Sequence, residues 1–459
     1  MKPGISSIAL GCVLVLAAAD ARAQSLEEAL ALAYGNNPQL LAQRARVRAT
    51  DEQVPQALAN WRPTVDMTAD TGASRYETNI RSTTGGSTLQ SREPKSTKLE
   101  LSQPLFRGGR TLAATAEAKH NVQAERARLE VTEQKIMLDA VTAYADLYRD
   151  IAVLDLNTNN EEVLRRQLDA VRARFQVGEI TRTDVYQAEA RLAKATADRI
   201  KAEGDLETSR ATYVKVVGGQ PPAKPALPSA PDRLPDSKDN AIRDAAVQNP
   251  AVIAAEFDQR AAVDRVDGTA GELLPTFKIV ASAGKDWESA SESSRISNLE
   301  AKLKFSMPLY EAGATYARVR GAKQTAAERL NLVDKERRDA VQIANRAWDT
   351  LLTARARVDS FDSQIKAATV ALDGVQREAA VGSRTVLDVL NAEQELLDAK
   401  VNHVRAQRDE LAAAFELKSA VGHLTARHLA LKVDLYDPAD HYNESQGKWF
   451  GTSGKGGIE

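Results

Sequence analysis

Apolar and polar residues alternate along several short stretches of the chain, which is the pattern of a β-strand with one apolar face. In the plainest stretch, Leu299, Ala301, Leu303, Phe305 and Met307 alternate with Asn298, Glu300, Lys302, Lys304 and Ser306. In another, Val65, Met67 and Ala69 alternate with Thr64, Asp66, Thr68 and Asp70. Each half of the chain carries two such stretches. The pattern therefore predicts four strands, each with one apolar and one polar face.

Long stretches compatible with helix follow the predicted strands. The chain has no proline between Pro104 and Pro221, nor between Pro308 and Pro438, so nothing there must break a helix. Apolar residues recur at steps of three and four at Val358, Phe361, Ile365, Ala368, Leu372 and Val375, and again at Leu164, Leu168 and Val171. This spacing predicts a coiled-coil seam in each half.

Helix lengths indicate how each half is built. Residues 111–176 would span roughly 100 Å as one helix, whereas 39–61 and 186–217 would span roughly 35 Å and roughly 48 Å. Stacked end to end, the two shorter helices approximately match the long one. Each half could therefore supply one full-length helix beside two shorter ones.

The two halves of the chain repeat one plan. Residues 36–72 match 248–284 at a shift of 212, and "LSQPLFRGG" at 101–109 matches "FSMPLYEAG" at a shift of 204. The intervening segment is thus eight residues longer in the first copy, and we expect a loop to absorb the difference. The predicted parts are a first repeat (24–217, strand hairpin about 63–104), a proline-rich linker (218–240), a second repeat (241–431, strand hairpin about 275–308) and a polar tail (432–459).

The amino terminus has the pattern of an export signal. Lys2 precedes an apolar run from Ile5 to Ala19, and the small residues that follow fit a cleavage site, so 1–23 is interpreted as a signal peptide. The alternative is lipidation at Cys12, because the residues before it loosely resemble a lipobox. Without Cys12 the mature chain would have no cysteine, and packing or assembly would hold it together.

Charge and composition argue against several classes of function. The formal net charge is -2, which is not the basic balance that nucleic-acid binding usually needs. With one cysteine, five histidines, and His423 and His428 five residues apart, no metal site is expected. The chain has no phosphate-binding glycine loop and no serine nucleophile motif. We therefore expect neither an enzyme nor a cofactor.

Strand alternation alone leaves two architectures open. In a soluble sandwich the apolar faces would pack together, whereas in a membrane barrel they would face lipid and the polar faces would line the interior. Four strands are too few for a barrel, since about eight is the smallest number found, so a barrel requires several chains. The rival is a periplasmic coiled-coil structural or adaptor protein without a conduit. Charged residues such as Glu300 and Lys302 facing an aqueous interior favour the barrel.

The order of these elements resembles the TolC family of outer-membrane efflux and secretion ducts. The resemblance extends from "SLEEALALAYGNNPQL" at 25–40 to "LKSAVGHL" at 417–424, and its most specific motifs are "SQPLFRGG" and "VGSRTVLDVLNAEQEL". It implies a mainly α-helical homotrimer with a twelve-stranded β-barrel in outer-membrane lipid and a twelve-helix periplasmic tunnel. It also implies an exit duct for tripartite efflux pumps, type I protein secretion or both. The implied partners are a periplasmic adaptor (membrane fusion) protein and an inner-membrane transporter.

Two equivalent breaks interrupt the helical sequence: the first tip, "VGEITRTDV" at 177–185, and the second tip, "VGSRTVLDV" at 381–389. Each is predicted to turn a long helix into its return helix. The glycines allow the positive φ common at helix C-termini, and Thr181 or Thr183, and Thr385, can cap the returning helices. The resemblance implies contact with a partner's helical hairpin at Val177, Gly178, Thr181, Val381, Gly382 and Thr385.

The resemblance also implies that the tips close the tunnel. Asp388 corresponds to an aspartate of the periplasmic aperture, and Asn391 stands one turn later, where the best-known members have a second aspartate. Arg384 corresponds to an arginine that reaches Thr183 and Asp184 of the neighbouring first tip, which would form a latch.

Three features are left open or rest on composition. Ala379 stands where the family has a tyrosine of a second closing contact, so the tightness of closure is left open. The cargo is also left open, because small-molecule efflux and polypeptide secretion use the same duct. The tail from Asp437 is polar and glycine-rich, and is predicted to be disordered.

Overall fold

The computed structural model describes residues 25–80, 86–226, 228, 230–291 and 293–452. The interpreted signal peptide at 1–23, with Cys12, lies outside the described residues. Among the described helices, none combines the length and the apolarity that crossing a bilayer requires.

Helices dominate the described chain, and strands interrupt them once in each half. The first half contains α1 (Leu26–Asn36), α2 (Pro38–Asp51), α3 (Gln53–Leu58), β1 (Thr64–Thr71), β2 (Ser74–Ile80), β3 (Gly86–Arg92), β4 (Lys95–Arg107), α4 (Arg110–Gln176) and α5 (Arg182–Val217). The second half contains α6 (Lys238–Gln248), α7 (Pro250–Ala270), β5 (Thr276–Trp287), β6 (Arg295–Ser306), α8 (Ala314–Ala380), α9 (Val386–Ala420) and α10 (Pro438–Ser445).

An asparagine followed by proline begins an equivalent helix in each half. The Asn37 side chain accepts hydrogen bonds from the backbone N–H groups of Gln39 and Leu40, and Asn249 accepts one from Ala251. Proline in the first turn loses nothing, because its missing N–H would have had no partner within the helix. The repeated Asn-Pro pair is therefore a helix start signal.

The helix predicted over 39–61 is interrupted, and a proline explains where. Helix α2 ends at Asp51, and Pro55 follows four residues later inside α3. A proline ring clashes with the carbonyl four residues before it, which here belongs to Asp51. The chain therefore continues as α3 and a short 3-10 turn, Ala59–Trp61.

The folded chain divides into two compact units, and neither corresponds to one repeat. The sheet unit comprises the described parts of 33–139, 230–356 and 412–459. The hairpin unit comprises the described parts of 1–32, 140–229 and 357–411. Each unit thus combines segments from both halves of the sequence.

Four strands of the sheet unit form one antiparallel sheet in the order β1, β4, β5, β6. One row across the sheet is Val65, Leu101, Ala281 and Ala301, and the adjacent row is Asp66, Glu100, Ser282 and Glu300. Because neighbouring rows face opposite sides, the sheet has one apolar and one polar face, as the alternation predicted. The apolar face is uncovered in the single chain, where Leu299 is 88% exposed.

The extra residues of the first repeat do not form a loop, contrary to the expectation from the sequence. Strands β2 and β3 pair as a two-stranded antiparallel ribbon, with Tyr76 opposite Gln90 and Glu77 opposite Leu89. The Arg92 guanidinium lies 4.7 Å from the centre of the Tyr76 ring. The insertion therefore lengthens the first hairpin.

Small side chains dominate helix packing in the sheet unit. Ala340, Ala344 and Ala347 of α8 pack in one cluster with Ala413 and Ala414 of α9, and all five are buried. The distance between packed helices depends on the side chains at their contact, so alanine lets the two backbones approach closely.

In the hairpin unit, the seam predicted in the first half is confirmed. Leu164, Leu168 and Val171 of α4 are buried in a cluster with residues of α5 and α9. In the second half, Ala368 is buried and the other seam residues of α8 are half-buried. One chain alone therefore covers the first seam more completely than the second.

The tail prediction was wrong for its described part, because an ordered helix, α10, follows Asp437, and residues 453–459 lie outside the described residues. The Asp437 side chain caps this helix by accepting a hydrogen bond from the backbone N–H of Ala439. His441 Nδ1 lies 3.1 Å from Oδ2 of Asp51, which is fully buried, and the Tyr442 ring packs against the cluster that contains Val54. Overall polarity concealed these two docking side chains.

The contact with His441 offsets part of the cost of burying Asp51. Burial raises the pKa of Asp51, while the hydrogen bond with His441 and the positive charge of Arg126 act in the opposite direction. Arg126 Nη2 lies 3.9 Å from the other carboxylate oxygen, and its guanidinium lies 5.2 Å from the centre of the Tyr442 ring. One cluster thus joins α2, α4 and α10.

We expect His441→Ala to loosen α10, because it leaves a buried carboxylate with one partner fewer, at a cost of about 1–3 kcal/mol. Limited proteolysis should then remove residues 437–452 faster than in the wild-type protein. His403→Ala, which removes a half-buried histidine of the hairpin unit, is the matched control. Equal cleavage of α10 in both variants and the wild type would contradict the docking role of His441.

Candidate functional site

The two tips share one backbone geometry within the hairpin unit. Gly178 and Gly382 have φ of 80° and 79°, so the predicted positive φ is confirmed at both. After α4, Glu179 N–H donates to the Arg174 carbonyl at 3.0 Å. After α8, Ser383 N–H donates to the Glu378 carbonyl at the same distance. These bonds satisfy carbonyl groups at the end of each long helix. The glycine just beyond the helix has left-handed backbone angles, which glycine adopts without strain.

Each return helix begins with a reciprocal pair of hydrogen bonds. Thr181 N–H donates to Asp184 Oδ2 at 2.9 Å, and Asp184 N–H donates to Thr181 Oγ1 at 3.4 Å. Thr385 and Asp388 make the same two bonds, at 2.9 and 3.2 Å. The structure thus selects Thr181 rather than Thr183 as the cap of α5. The aspartates' role in capping was missed, although threonine followed three residues later by an acidic residue is a signal for it.

Capping also controls the charge of the predicted aperture residue. The backbone N–H and hydroxyl of Thr385 donate to Asp388, and together with the charge of Arg384 they hold the pKa of this carboxyl below its usual range. These bonds favour the ionised form of Asp388, which is half-buried. Its carboxylate is held in place by the first turn of its own helix.

The two predicted latch partners do not pair within one chain. Arg384 Nε donates to Glu378 Oε2 at 2.8 Å, and Asp184 Oδ2 accepts from Thr181. Both Arg384 and Asp184 nevertheless line the same cleft of about 600 Å³ between the tips, together with Ala379. Thr183 is exposed in the first turn of α5.

The second predicted aperture residue has a partner that the sequence did not indicate. Asn391 Oδ1 accepts a hydrogen bond from Arg191 Nη2 at 2.7 Å, which joins α9 to α5. No spacing or repeated motif singled out Arg191, because the two residues are 200 positions apart. The pair places a positive charge next to the position where Asn391 stands.

Equivalent valines project from the two tips. Val177 is 78% exposed and Val381 is 80% exposed. Each precedes its left-handed glycine, so both repeats present an apolar side chain at the same place on the turn. Exposed apolar side chains at repeated positions can contact another protein.

Within the described ranges, no group of three or more His, Cys, Asp or Glu side chains could hold a metal ion. Their spacing of five did not predict that His423 and His428 share a helical face, but their rings stack with centres 4.9 Å apart. The segment that carries them folds after the end of α9, so helical spacing does not apply. Gln248 and Thr425 each contact one nitrogen of this pair.

Comparison with known proteins relates the whole arrangement to one family. The family model for outer membrane efflux proteins matches residues 29–219 and 241–423. The chain is 35% identical to the outer membrane efflux protein BepC of Brucella suis biovar 1 (strain 1330), over 95% of this chain and 94% of that protein. It is 24% identical to the outer membrane protein TolC of Escherichia coli (strain K12), over 91% and 86%. Other relatives are named for protease secretion.

A solved structure with a similar fold is the CmeC outer membrane channel of Campylobacter jejuni. The TM-score is 0.77 at 16% sequence identity, and the alignment covers 92% of this chain and 89% of that one. At this identity the similarity concerns the fold alone. The fold class inferred from the sequence, mainly helical with a small strand part, is confirmed.

Because Thr385 supplies the cap of α9, we expect Thr385→Ala to loosen the first turn of this helix. Amide hydrogen exchange of residues 386–389 should become about fivefold faster, the effect of losing an ordinary helix cap. Thr208→Ala, which changes an exposed threonine of α5 far from its first turn, should leave exchange at both tips unchanged. Unaltered exchange in the Thr385→Ala protein would show that the cap contributes nothing to the tip.

Proposed function

The chain belongs to the outer membrane efflux protein family, and we propose that three copies of it form one exit duct across the outer membrane and the periplasm. Membership of the family makes the chain a non-enzymatic outer-membrane conduit. The proposed duct serves tripartite efflux, type I protein secretion or both, with a periplasmic adaptor and an inner-membrane transporter as partners.

One observation carries the trimer proposal: the four-stranded sheet of a single chain is incomplete. Its apolar face is exposed, and β1 and β6 lie at its two edges. Backbone groups at a sheet edge need partners in lipid, so a membrane sheet must close on itself. Four strands cannot close, whereas three copies bring twelve strands if β1 of one copy pairs with β6 of the next. Strand β6 has 12 residues, enough for the roughly 9–11 that crossing a bilayer requires.

The polar face supports a conduit rather than a solid rod. Lys98 pairs with Glu100, and Lys302 pairs with Glu300, on the face opposite the exposed apolar row. Charged side chains of this kind remain in water, so a closed barrel with its apolar face in lipid would surround an aqueous interior. The alternative, a periplasmic scaffold without a conduit, gives no reason for this arrangement.

We propose that Asp388 and Asn391 form the periplasmic aperture. Three ionised Asp388 carboxylates around one axis would repel one another and attract cations. Asn391 adds no charge to this ring, and Arg191 beside it reduces the negative potential further. The proposed aperture is therefore only moderately acidic.

The proposed latch joins Arg384 of one copy to Thr183 and Asp184 of a neighbouring first tip. The Arg384–Glu378 pair is exposed, and exposed ion pairs contribute little to stability, so Arg384 can change partner at small cost. Asp184 uses Oδ2 for its cap, so Oδ1 can accept from a neighbouring guanidinium. The cap would thus hold Asp184 ready for the latch.

The adaptor contact is proposed at the outermost turns of the two tips. Val177 and Val381 are exposed apolar side chains, and the capped turns that carry them have a fixed shape. The glycines and threonines of these turns complete the surface: Gly178, Thr181, Gly382 and Thr385. A helical hairpin of the adaptor could pack against the valines and exclude water from them.

We expect Leu303→Arg to prevent assembly, because a cation on the lipid-facing side of a barrel strand costs about 2–4 kcal/mol near the bilayer centre. Outer-membrane fractionation and light scattering in detergent should then recover little trimer. Lys302→Gln changes the adjacent residue on the polar face and should leave the trimer intact. A Leu303→Arg trimer at wild-type yield in the outer membrane would argue against the barrel.

We expect Arg384→Ala to raise single-channel conductance in planar bilayers, because the tips lose the proposed bond to their neighbour. Arg377→Ala removes an exposed arginine of the same helix end, which pairs with Asp373 in its own helix, and should leave conductance unchanged. The latch is excluded if Arg384→Ala also leaves conductance unchanged.

A preference for cations in wild-type recordings under a salt gradient would support the Asp388 ring, and a preference for anions would refute the ring.

A further inference from the structure

The chain beyond α10 returns to the start of the first strand of the sheet. Arg62 Nη1 donates to the backbone carbonyl of Lys448 at 2.7 Å. The guanidinium of the same arginine lies 4.7 Å from the centre of the Trp449 ring. Arg62 precedes Thr64, the first residue of β1, by two positions. One arginine thus fixes Trp449 beside the base of the sheet.

The site to which the tail is attached is itself held firmly. Gln103 Nε2 donates to the backbone carbonyl of Trp61 at 2.9 Å, and Arg107 donates to the side chain of Asn60. Both donors belong to β4, so the turn before β1 is tied to the neighbouring strand. The tail therefore has a defined position relative to the sheet.

The last described residues of the tail expose two large aromatic side chains. Trp449 is 59% exposed and Phe450 is 91% exposed, although Trp449 is held by Arg62. Other large apolar side chains next to strand ends are exposed as well, including Trp61 before β1 and Tyr310 after β6. Aromatic side chains thus gather where the strands begin and end.

We propose that Trp449 and Phe450 insert into the headgroup region of the phospholipid leaflet that faces the periplasm, so that the C-terminal segment anchors the channel beside its barrel. Tryptophan favours this region because its ring is apolar and its N–H can bond to water or headgroups. The cation of Arg62, which contacts the Trp449 ring, would lie near lipid phosphates, whereas Lys448 Nζ pairs with Glu444 Oε1 at 3.2 Å. The proposal rests on the proposed barrel, which alone would place the strand bases at a lipid surface.

Lipid is the expected contact of Trp449 and Phe450, because these side chains are continuous with surfaces that the barrel would place in lipid. Arg62 connects the pair to the start of β1, and the apolar face of the sheet begins with Val65. The docking of α10 through His441 and Tyr442 holds the tail, so the aromatic rings are presented without a large loss of conformational freedom.

The test uses the full-length protein with Trp449 as its single tryptophan, made by Trp61→Phe, Trp287→Phe and Trp348→Phe. The trimer is reconstituted into phosphatidylcholine vesicles that are plain or brominated near the top of one acyl chain. We expect bromine to remove most of the Trp449 fluorescence and aqueous acrylamide to have little effect. A protein with Trp348 alone is the control, because this half-buried residue packs against the core of the sheet unit and should escape the bromine.

The outcomes separate the anchor from the proposed function. A trimer whose Trp449 is quenched by acrylamide and not by bromine would place the ring in water and overturn the anchor while leaving the duct intact. Protection from both quenchers would mean that another copy covers the ring, which also overturns the anchor. Failure of this protein and of the wild type to form an outer-membrane trimer would remove the proposed function itself.

Discussion

In an outer-membrane protein, a sheet with one apolar face and one charged face needs lipid on one side and water on the other. The row from Val65 to Ala301 is apolar, and the row beside it contains Asp66, Glu100 and Glu300. Unpaired backbone groups in lipid cost several kcal/mol each, so the edge strands β1 and β6 must also find partners. One four-stranded sheet cannot satisfy all these requirements. In the proposed barrel, assembly of several copies is therefore required by the strand pattern.

The turns of the hairpin unit combine structural roles with the proposed functional roles in the same residues. Asp184 and Asp388 accept bonds from the threonines that begin their helices, so each carboxylate is positioned by residues within one turn of it. These bonds depend little on distant packing, and they also keep Asp388 ionised. A tip built in this way can change its neighbours on opening and still keep its charge in place. The proposed latch and aperture both depend on this local order.

The C-terminal segment shows how few side chains are needed to order a polar stretch. His441 contacts a buried carboxylate, Tyr442 enters an apolar cluster, and Arg62 holds Trp449. Asp440, Asn443 and Glu444 of α10 can stay polar because they are exposed to water. Composition averages over the segment and therefore hides such contacts, which is why disorder was the natural expectation from sequence.

The sequence by itself determined the duplication, the strand alternation, the long helices and the left-handed glycines at Gly178 and Gly382, because each is governed by periodicity or local backbone preference. It also contained an unused signal for both capping boxes. Only the tertiary structure decided the pairing of Asn391 with Arg191 and the docking of His441 on Asp51. These contacts join residues that no local rule relates. They form because the folded backbone brings complementary side chains together, and one chain without an alignment carries no record of that proximity.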